Sequence, residues 1–363
     1  MRHIKFGSVV LMAMILAGCG GGGSDIPAKP KFTSQVSFGD SLSDVGSYKV
    51  GLVAGLSGGQ FTINAAAGTP TNWTEMTAVK LGLAAPCAAK TGLDNGSGAA
   101  PGTPAGTVIP VVNNTACTGY AQGGARVTNS VGIGNKALGG GGFALTVPVV
   151  TQIQNHLTAN SGSFNGNEIV FVMAGANDVF MQAAQVSGGL SPASGVAAVQ
   201  TAASELATAV KTQIIANGAK YVAVVNVPDI ASTPQVTSIA DPATKAVTAG
   251  LMDTLVKAFN AQLKADLPDS TNVLNVDAYA ASKDEVQNPG KYLLTDVTNT
   301  ACNLTAPSLN PLASSLVCNA NNLNTGVSST DHYLFADKVH PTPYGHSLFA
   351  LYVLQAMTNK GWN

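Results

Sequence analysis

Three continuous apolar runs, separated by long helical patterns, constrain the fold of this chain more than any other feature. The runs are residues 168–173, 221–227 and 273–276, and apolar residues recur at helical spacing over residues 191–218 and 241–263. Apolar runs without alternation are typical of strands that are covered on both faces. Strands that alternate with helices predict a parallel sheet. The sequence therefore predicts an α/β fold.

The flanking parts of the chain extend this pattern at both ends. Residues 32–38 are predicted to form a further buried strand, and residues 75–83, 146–160 and 343–357 are predicted to form helices. No linker, internal repeat or second hydrophobic pattern of domain size is visible. One domain with long loops is the economical interpretation.

The N-terminus has the pattern of an export signal. A basic start is followed by an apolar segment that is too short to span a bilayer, and residues 16–19 resemble the lipobox of bacterial lipoproteins. We therefore predict a signal peptide over residues 1–18, lipidation of Cys19, a flexible tether over 19–31 and the folded domain over 32–363. Gly20 rather than Asp follows the cysteine, which favours the outer membrane or cell surface. The alternative is an ordinary secretory signal and a secreted or periplasmic protein.

The charge balance excludes nucleic acid as a partner. The chain has 18 basic and 19 acidic residues. Removal of residues 1–18 takes away Arg2 and Lys5, which leaves 16 basic and 19 acidic residues and a net charge of −3. Charged residues make up 10% of the chain, and no basic stripe is present. This composition suits an exported protein, and we expect a monomer.

Four cysteines remain after Cys19. An even number of cysteines in an exported protein can all pair as disulfides, because the compartment is oxidising. Four cysteines allow three pairings. The local pairs, Cys87–Cys117 and Cys302–Cys318, would each close a polar loop, and we predict these two disulfides. No Cys-x-x-Cys pair or histidine cluster suggests a metal.

A serine follows the predicted strand 32–38 in the run Gly39-Asp40-Ser41. These residue types form turns, and a serine at such a junction stands clear of the sheet beside free backbone N–H groups. Ser41 is therefore a candidate nucleophile. The alternative is a helix start with Ser41 or Asp40 as N-cap and Asp44 as a capping-box acid.

A serine nucleophile needs a base and an orienting acid. His340 and Asp337 lie three residues apart in a loop that ends at Pro341, so the carboxylate can hold one ring nitrogen while the other faces outward. The remaining histidines of the predicted domain are weaker candidates. His156 is predicted at the surface or boundary of a helix, and His346 is explained as a residue of the last helix.

Four short motifs occur in order along the chain and together resemble a known family. They are Gly39-Asp40-Ser41-Leu42, Gly123-Gly124-Ala125, Gly175-x-Asn177-Asp178 and Asp337-x-x-His340-Pro341. This set closely resembles the GDSL-type (SGNH) hydrolases, a family of esterases and lipases. The resemblance implies a three-layer α/β/α sandwich on a mostly parallel, flavodoxin-like sheet of five strands. It also implies serine ester hydrolysis without a metal or cofactor.

The resemblance assigns roles to residues at the matching positions. Ser41 would be the nucleophile, His340 the general base and acid, and Asp337 the residue that orients His340. The oxyanion hole would consist of the Ser41 N–H, the Gly124 N–H and the Asn177 side chain. Gly119 stands where the family usually has asparagine, so Gly123 remains the alternative to Gly124.

The expected function is hydrolysis of small-molecule or lipid carboxylic esters by a protein attached to a membrane through its N-terminal lipid. The same site would also suit a phospholipase, lysophospholipase, thioesterase or polysaccharide deacetylase. A non-enzymatic lipoprotein that binds a glycan or peptide is the alternative from another class. The walls of the pocket are expected to come from the loops at residues 50–119 and 290–330.

Overall fold

The computed structural model of the protein describes residues 29–94, 109–139 and 142–363. The predicted signal peptide and Cys19 lie outside the described residues, as does the predicted tether up to residue 28. The strands are β1 (Ser34–Gly39), β2 (Lys90–Thr91), β3 (Val112–Asn113), β4 (Glu168–Met173), β5 (Tyr221–Val225), β6 (Val273–Val276), β7 (Asp296–Thr300) and β8 (Tyr333–Phe335). The α-helices are α1 (Gly51–Gly55), α2 (Trp73–Lys80), α3 (Val149–Ala159), α4 (Ala176–Ser187), α5 (Pro192–Ala209), α6 (Pro234–Thr237), α7 (Pro242–Asp266), α8 (Ala278–Gln287) and α9 (Pro343–Asn359).

The central sheet is parallel, with the strand order β1-β4-β5-β6. Alternate residues of each strand face opposite sides of the sheet. Val170 and Val172 contact a core that also contains residues of α3, α5 and α7, whereas Ile169 and Phe171 contact Trp73 of α2 and residues of α9. Helices therefore cover both faces of the sheet, and the chain has the expected α/β/α layers.

The expected fifth strand is present only as an irregular segment at the edge of the sheet. The backbone of residues 118–122 runs parallel to β1, and its hydrogen bonds are Ser37 N–H to Thr118 O, Tyr120 N–H to Ser37 O and Gln122 N–H to Gly39 O. Counted in chain order with this segment as the second strand, the sheet has the flavodoxin-like order 2-1-3-4-5. Ligands bind such sheets where the order reverses, which is beside the carboxyl ends of β1 and β4.

Long loops pack on this end of the sheet and form a small core of their own. Residues 48–61, 143–145 and 312–317 supply most of its side chains, and we call them the loop layer. Disulfides join Cys87 to Cys117 and Cys302 to Cys318, the same pairs that the sequence favoured. In the described part of the chain, no helix combines the length and apolar character needed to cross a membrane.

Candidate active site

The turn after β1 presents Ser41 at the end of the sheet. Gly39 ends the strand at φ +155°, and a Cβ there would lie 2.2 Å from the Met173 carbonyl oxygen, so only glycine fits beside β4. The Gln152 side chain of α3 accepts the Gly39 N–H at 2.9 Å and donates to its carbonyl at 2.8 Å. This amide clamp fixes the strand end, and no sequence motif had indicated Gln152.

The residues after Ser41 do not begin a regular helix, so the alternative interpretation of Ser41 and Asp40 as helix N-caps is wrong. The buried Asp44 carboxylate instead accepts N–H groups from Gly46, Ser47 and Gly123. Asp44 therefore ties the Ser41 turn to the glycine motif, a long-range contact that the capping interpretation did not include.

The two backbone groups of Gly123 are occupied. Its N–H donates to Asp44 at 2.9 Å, and its carbonyl accepts the Tyr48 hydroxyl at 2.7 Å. The Gly124 N–H, in contrast, has no acceptor among the described residues. Gly124 has φ +79°, and a Cβ there would lie 2.0 Å from the Ile133 carbonyl oxygen. Between the two glycines, Gly124 is thus the one with an N–H available to a ligand.

Asn177 and Asp178 begin α4 directly after β4. The Asn177 Nδ2 donates one hydrogen to the Ala125 carbonyl at 2.8 Å, which orients the amide and leaves its second hydrogen for another acceptor. Asp178 binds Arg126 Nε at 2.8 Å and the Val127 N–H at 3.0 Å. Since Gly175 is the N-cap of α4, Asp178 anchors the neighbouring loop and is not a cap.

Asp337 and His340 lie in the loop between β8 and α9. The Asp337 carboxylate lies 2.8 Å from His340 Nδ1 and also accepts the N–H groups of Ser315, Val339 and His340. Burial alone would raise the pKa of Asp337, but the charge of His340 and these hydrogen bonds outweigh it and hold that pKa well below its usual range. The carboxylate is therefore ionised and favours positive charge on the imidazole.

The structure brings together the residues that the sequence placed far apart. His340 Nε2 lies 2.8 Å from Ser41 Oγ, while its Nδ1 is held by Asp337. The Phe61 ring packs against the imidazole, with 4.9 Å between ring centroids. The hydroxyl, the imidazole and the carboxylate form a continuous hydrogen-bonded chain, and such a chain can activate a hydroxyl as a nucleophile.

The other histidines of the described chain have their own environments. His156 is buried and packs against Phe164 and Tyr120, so its predicted surface position is wrong; burial lowers its pKa to about 4. His346 is buried within α9, and burial lowers its pKa to about 3. His332 stacks on Tyr344, 3.8 Å between centroids. His340 alone among these is hydrogen-bonded to Ser41.

A cavity of about 570 Å³ opens at Ser41. Ser41, Gly124, Asn177 and His340 all line it, and its other described lining is mostly apolar and without Lys or Arg. The walls include Phe61 and residues 311–316, which lie within the two loops that were predicted to form the pocket. Segments 133–139, 142–144, 176–180 and 228–233 contribute as well, so the prediction of the walls was incomplete.

Asp40 also faces the cavity. Its Oδ1 accepts the Leu42 N–H at 3.1 Å, whereas its Oδ2 is buried without a partner among the described residues. Burial raises the pKa of Asp40 to about 7, although the Leu42 N–H and the charge of His340 act in the opposite direction. A carboxyl that is neutral in mildly acidic solution therefore lies next to Ser41.

One further serine has the Gly-x-Ser-x-Gly spacing of an α/β-hydrolase nucleophile, at residues 55–59. It follows the short helix α1 rather than a strand. Ser57 is exposed and adopts φ 58°, and its N–H donates to the Ala54 carbonyl. This position lacks the strand-to-helix turn that the α/β-hydrolase arrangement requires, so Ser57 is not an equivalent candidate.

Comparison with known proteins agrees with the motifs. The family model described as GDSL-like Lipase/Acylhydrolase matches residues 35–353. Among solved structures, a mutant of Axe2, an acetyl-xylooligosaccharide esterase from Geobacillus Stearmophilus, is 17% identical, with 90% of this chain and 96% of that chain covered and a TM-score of 0.37. NanS is 11% identical, with 91% and 99% covered and a TM-score of 0.31. These scores are too low to support an argument about substrate. No curated protein sequence gives a significant match.

Proposed function

Because the chain belongs to the GDSL-like lipase/acylhydrolase family, we propose that it hydrolyses carboxylic esters through an acyl-enzyme on Ser41. The observation that carries this proposal is the contact of 2.8 Å between Ser41 Oγ and His340 Nε2 at the mouth of an apolar cavity. Asp337, 2.8 Å from the other ring nitrogen, supports the same role. A protein that only binds a glycan would have no need of this chain of three groups.

In the first half of the reaction, Ser41 Oγ attacks the ester carbonyl carbon and His340 Nε2 takes the hydroxyl proton. The ionised Asp337 stabilises the imidazolium. The negative charge that develops on the carbonyl oxygen is stabilised by hydrogen bonds that the Ser41 N–H, the Gly124 N–H and the free hydrogen of Asn177 Nδ2 donate to it. His340 then gives its proton to the leaving alcohol, and the acyl group remains on Ser41.

In the second half, water attacks the acyl-enzyme while His340 takes one of its protons. Collapse of the second tetrahedral intermediate releases the carboxylic acid and returns the proton to Ser41 Oγ. The sum is one ester and one water converted to one acid and one alcohol. His340 takes and returns the proton in every step of this sequence, so the proposed reaction uses only groups of the protein, the ester and water.

The test is hydrolysis of p-nitrophenyl esters by the wild type, Ser41→Ala and Ser43→Ala. Ser43 is a matched control because it lies in the same turn, is buried, and its hydroxyl has no partner among the described residues. We expect Ser41→Ala to lose nearly all activity and Ser43→Ala to keep most of it. A folded Ser41→Ala variant with full activity would disprove the proposal. Thioesters, phospholipids and acetylated polysaccharides in the same panel test the alternative substrates.

A lipid anchor on Cys19 and an outer-membrane or cell-surface location form the second part of the proposal. The support is the lipobox-like sequence of residues 16–19. Labelled fatty acid should be incorporated into the wild type, and Cys19→Ser should abolish the labelling. Incorporation that survives the substitution would contradict lipidation at this residue, and absence of label from the wild type would favour an ordinary secreted protein.

A further inference from the structure

The cavity at Ser41 has two apolar walls that differ in their neighbours. The first, which we call the base-side wall, is formed by Phe61, Leu312, Leu316 and Val339. Phe61 packs on His340, and Val339 precedes it in the chain. The loop that carries the two leucines donates the N–H of Ser315 to Asp337 at 3.0 Å. This wall therefore lies beside the imidazole.

The second wall, which we call the hole-side wall, is formed by Ile133, Leu138, Phe143, Ala144 and Phe180. The Ile133 N–H donates to the Gly124 carbonyl at 3.1 Å, and the Ala144 N–H donates to the Gly134 carbonyl at 3.0 Å. Phe180 lies one helical turn after Asn177 on α4, so both side chains project from the same face. This wall therefore borders Gly124 and Asn177, two of the three candidate oxyanion donors.

The chemistry of the proposed reaction determines which wall meets which half of the ester. The leaving oxygen must lie beside His340 to receive its proton, so the alcohol part extends along the base-side wall. The carbonyl oxygen points at the N–H donors. The acyl chain takes the remaining direction, away from His340. On the premise of the proposed function, we propose that the hole-side wall binds an uncharged, apolar acyl chain longer than acetyl.

The polar side chain next to this wall is already hydrogen-bonded within the protein. Asn135 Nδ2 donates to Thr146 Oγ1 at 2.8 Å, and its Oδ1 accepts the Ala137 N–H at 3.0 Å. The nearby Lys136 is paired with Asp94 at 2.6 Å. Because these groups are already bonded, the wall offers a chain mainly apolar contact. Each methylene of the chain that moves from water onto such a wall adds favourable binding free energy.

This assignment predicts a rising acyl-length series for p-nitrophenyl esters. Burial of one methylene corresponds to about a fourfold gain in kcat/KM. We therefore expect kcat/KM to rise by about this factor per methylene from acetate towards hexanoate, and then to level off as the wall is filled. A wild type that cleaves these esters through Ser41 but prefers acetate would overturn this inference and leave the proposed function standing. Absence of Ser41-dependent hydrolysis would instead overturn the proposed function.

The decisive variants place a negative charge on each wall. Leu138→Asp changes an exposed residue of the hole-side wall, and Leu309→Asp is its matched control, since Leu309 is equally exposed and does not line the cavity. Leu138→Asp should lower the octanoate-to-acetate ratio of kcat/KM by tenfold or more, and Leu309→Asp should not alter the ratio. Leu312→Asp on the base-side wall should instead lower the ratio of kcat/KM for hexyl butyrate to kcat/KM for ethyl butyrate.

The reverse pattern would overturn the assignment of the walls. If Leu312→Asp lowers the acyl-length ratio and Leu138→Asp does not, the acyl chain lies on the base side. An unchanged ratio in Leu138→Asp, with the thermal unfolding midpoint of the wild type retained, would also contradict the proposal.

Discussion

The carboxyl end of the sheet and the loop layer above it meet at Ser41, yet they are held together by different forces. The sheet end is fixed by strand register, with Gly39 beside Met173, and by buried apolar side chains on both faces. The loop layer depends on single contacts such as the buried Asn64, whose Nδ2 donates to carbonyls of Ser315 and Cys318. The sheet end places Ser41 and Asn177, the loop between β8 and α9 places Asp337 and His340, and the long loops supply most of the substrate walls.

This difference predicts two kinds of variant. Changes at the sheet end and in the Asp337–His340 loop should affect the hydrolysis of all esters alike, because they alter the chemical step. Changes in the loop layer should alter stability or the ratio between substrates, except at residues 312–317, where the Ser315 N–H also holds Asp337. The predictions that follow test this division, beginning with the largest effect.

The base should show the largest effect. His340→Ala should lower kcat by roughly 10⁴–10⁶-fold on every ester, because nucleophile and base act as one unit. His332→Ala is the control, since His332 precedes the same loop and stacks on Tyr344 rather than contacting Ser41. It should keep substantial activity. If His332→Ala were inactive and His340→Ala active, with both variants folded, the assignment of His340 as the base would be wrong.

The oxyanion donor on α4 should come next. Asn177→Ala should lower kcat by roughly 10²–10³-fold with little change in KM, because the amide acts on the charge of the transition state. Asn177→Asp, which keeps the shape and loses the donor, should be at least as slow. Steady-state kinetics on a short and a long ester check this. A loss confined to one chain length would show that Asn177 acts on binding instead.

The two disulfides form a matched pair that separates stability from activity. The chain-entropy model assigns each about 3–4 kcal/mol of unfolding free energy. Among the described residues of the two loops, those of the Cys302–Cys318 loop reach the catalytic groups, through the bond from the Ser315 N–H to Asp337. Denaturant unfolding should show a lower free energy of unfolding in both double Cys→Ser variants. The kcat should fall, by about tenfold, only in the variant that lacks the Cys302–Cys318 disulfide. Equal kcat values would show that this loop does not position Asp337.

The smallest effect is expected far from the loop layer, at Glu285 on α8. Burial raises the pKa of Glu285 to about 8. Between about pH 4.5 and 8 the unfolded chain ionises this carboxyl while the folded protein keeps it protonated, so stability declines as pH rises through this window. Glu285→Gln should flatten the decline, by at most about 4 kcal/mol, and leave ester hydrolysis unchanged. Denaturant unfolding at pH 5 and 9 checks this, and an unaltered slope would contradict the burial argument.

The sequence predicted the sheet better than the loops for a physical reason. The β4 and β6 strands have the predicted bounds because short, mostly apolar runs have few alternatives, and β5 ends at Val225 rather than residue 227. The fifth strand pairs with β1 through an isolated bridge between Ser37 and Gly119, and two glycines, Gly123 and Gly124, follow it in the chain.

Other features had no periodic signal that sequence analysis could use. His156 lies in a helix, as predicted, but its burial among aromatic rings depends on distant segments. The clamps made by Gln152, Asp44 and Asn64 are side chain to backbone bonds across long separations. Short motifs did indicate Ser41 and His340, yet only the fold could bring their side chains into contact.

The most direct test of the central claim is peptide mass mapping after reaction with a fluorophosphonate, which forms a covalent adduct with an activated serine. We predict a single adduct on Ser41, formed in parallel with the loss of esterase activity and absent from the His340→Ala variant. An adduct on another serine, or full inactivation without modification of Ser41, would contradict the account.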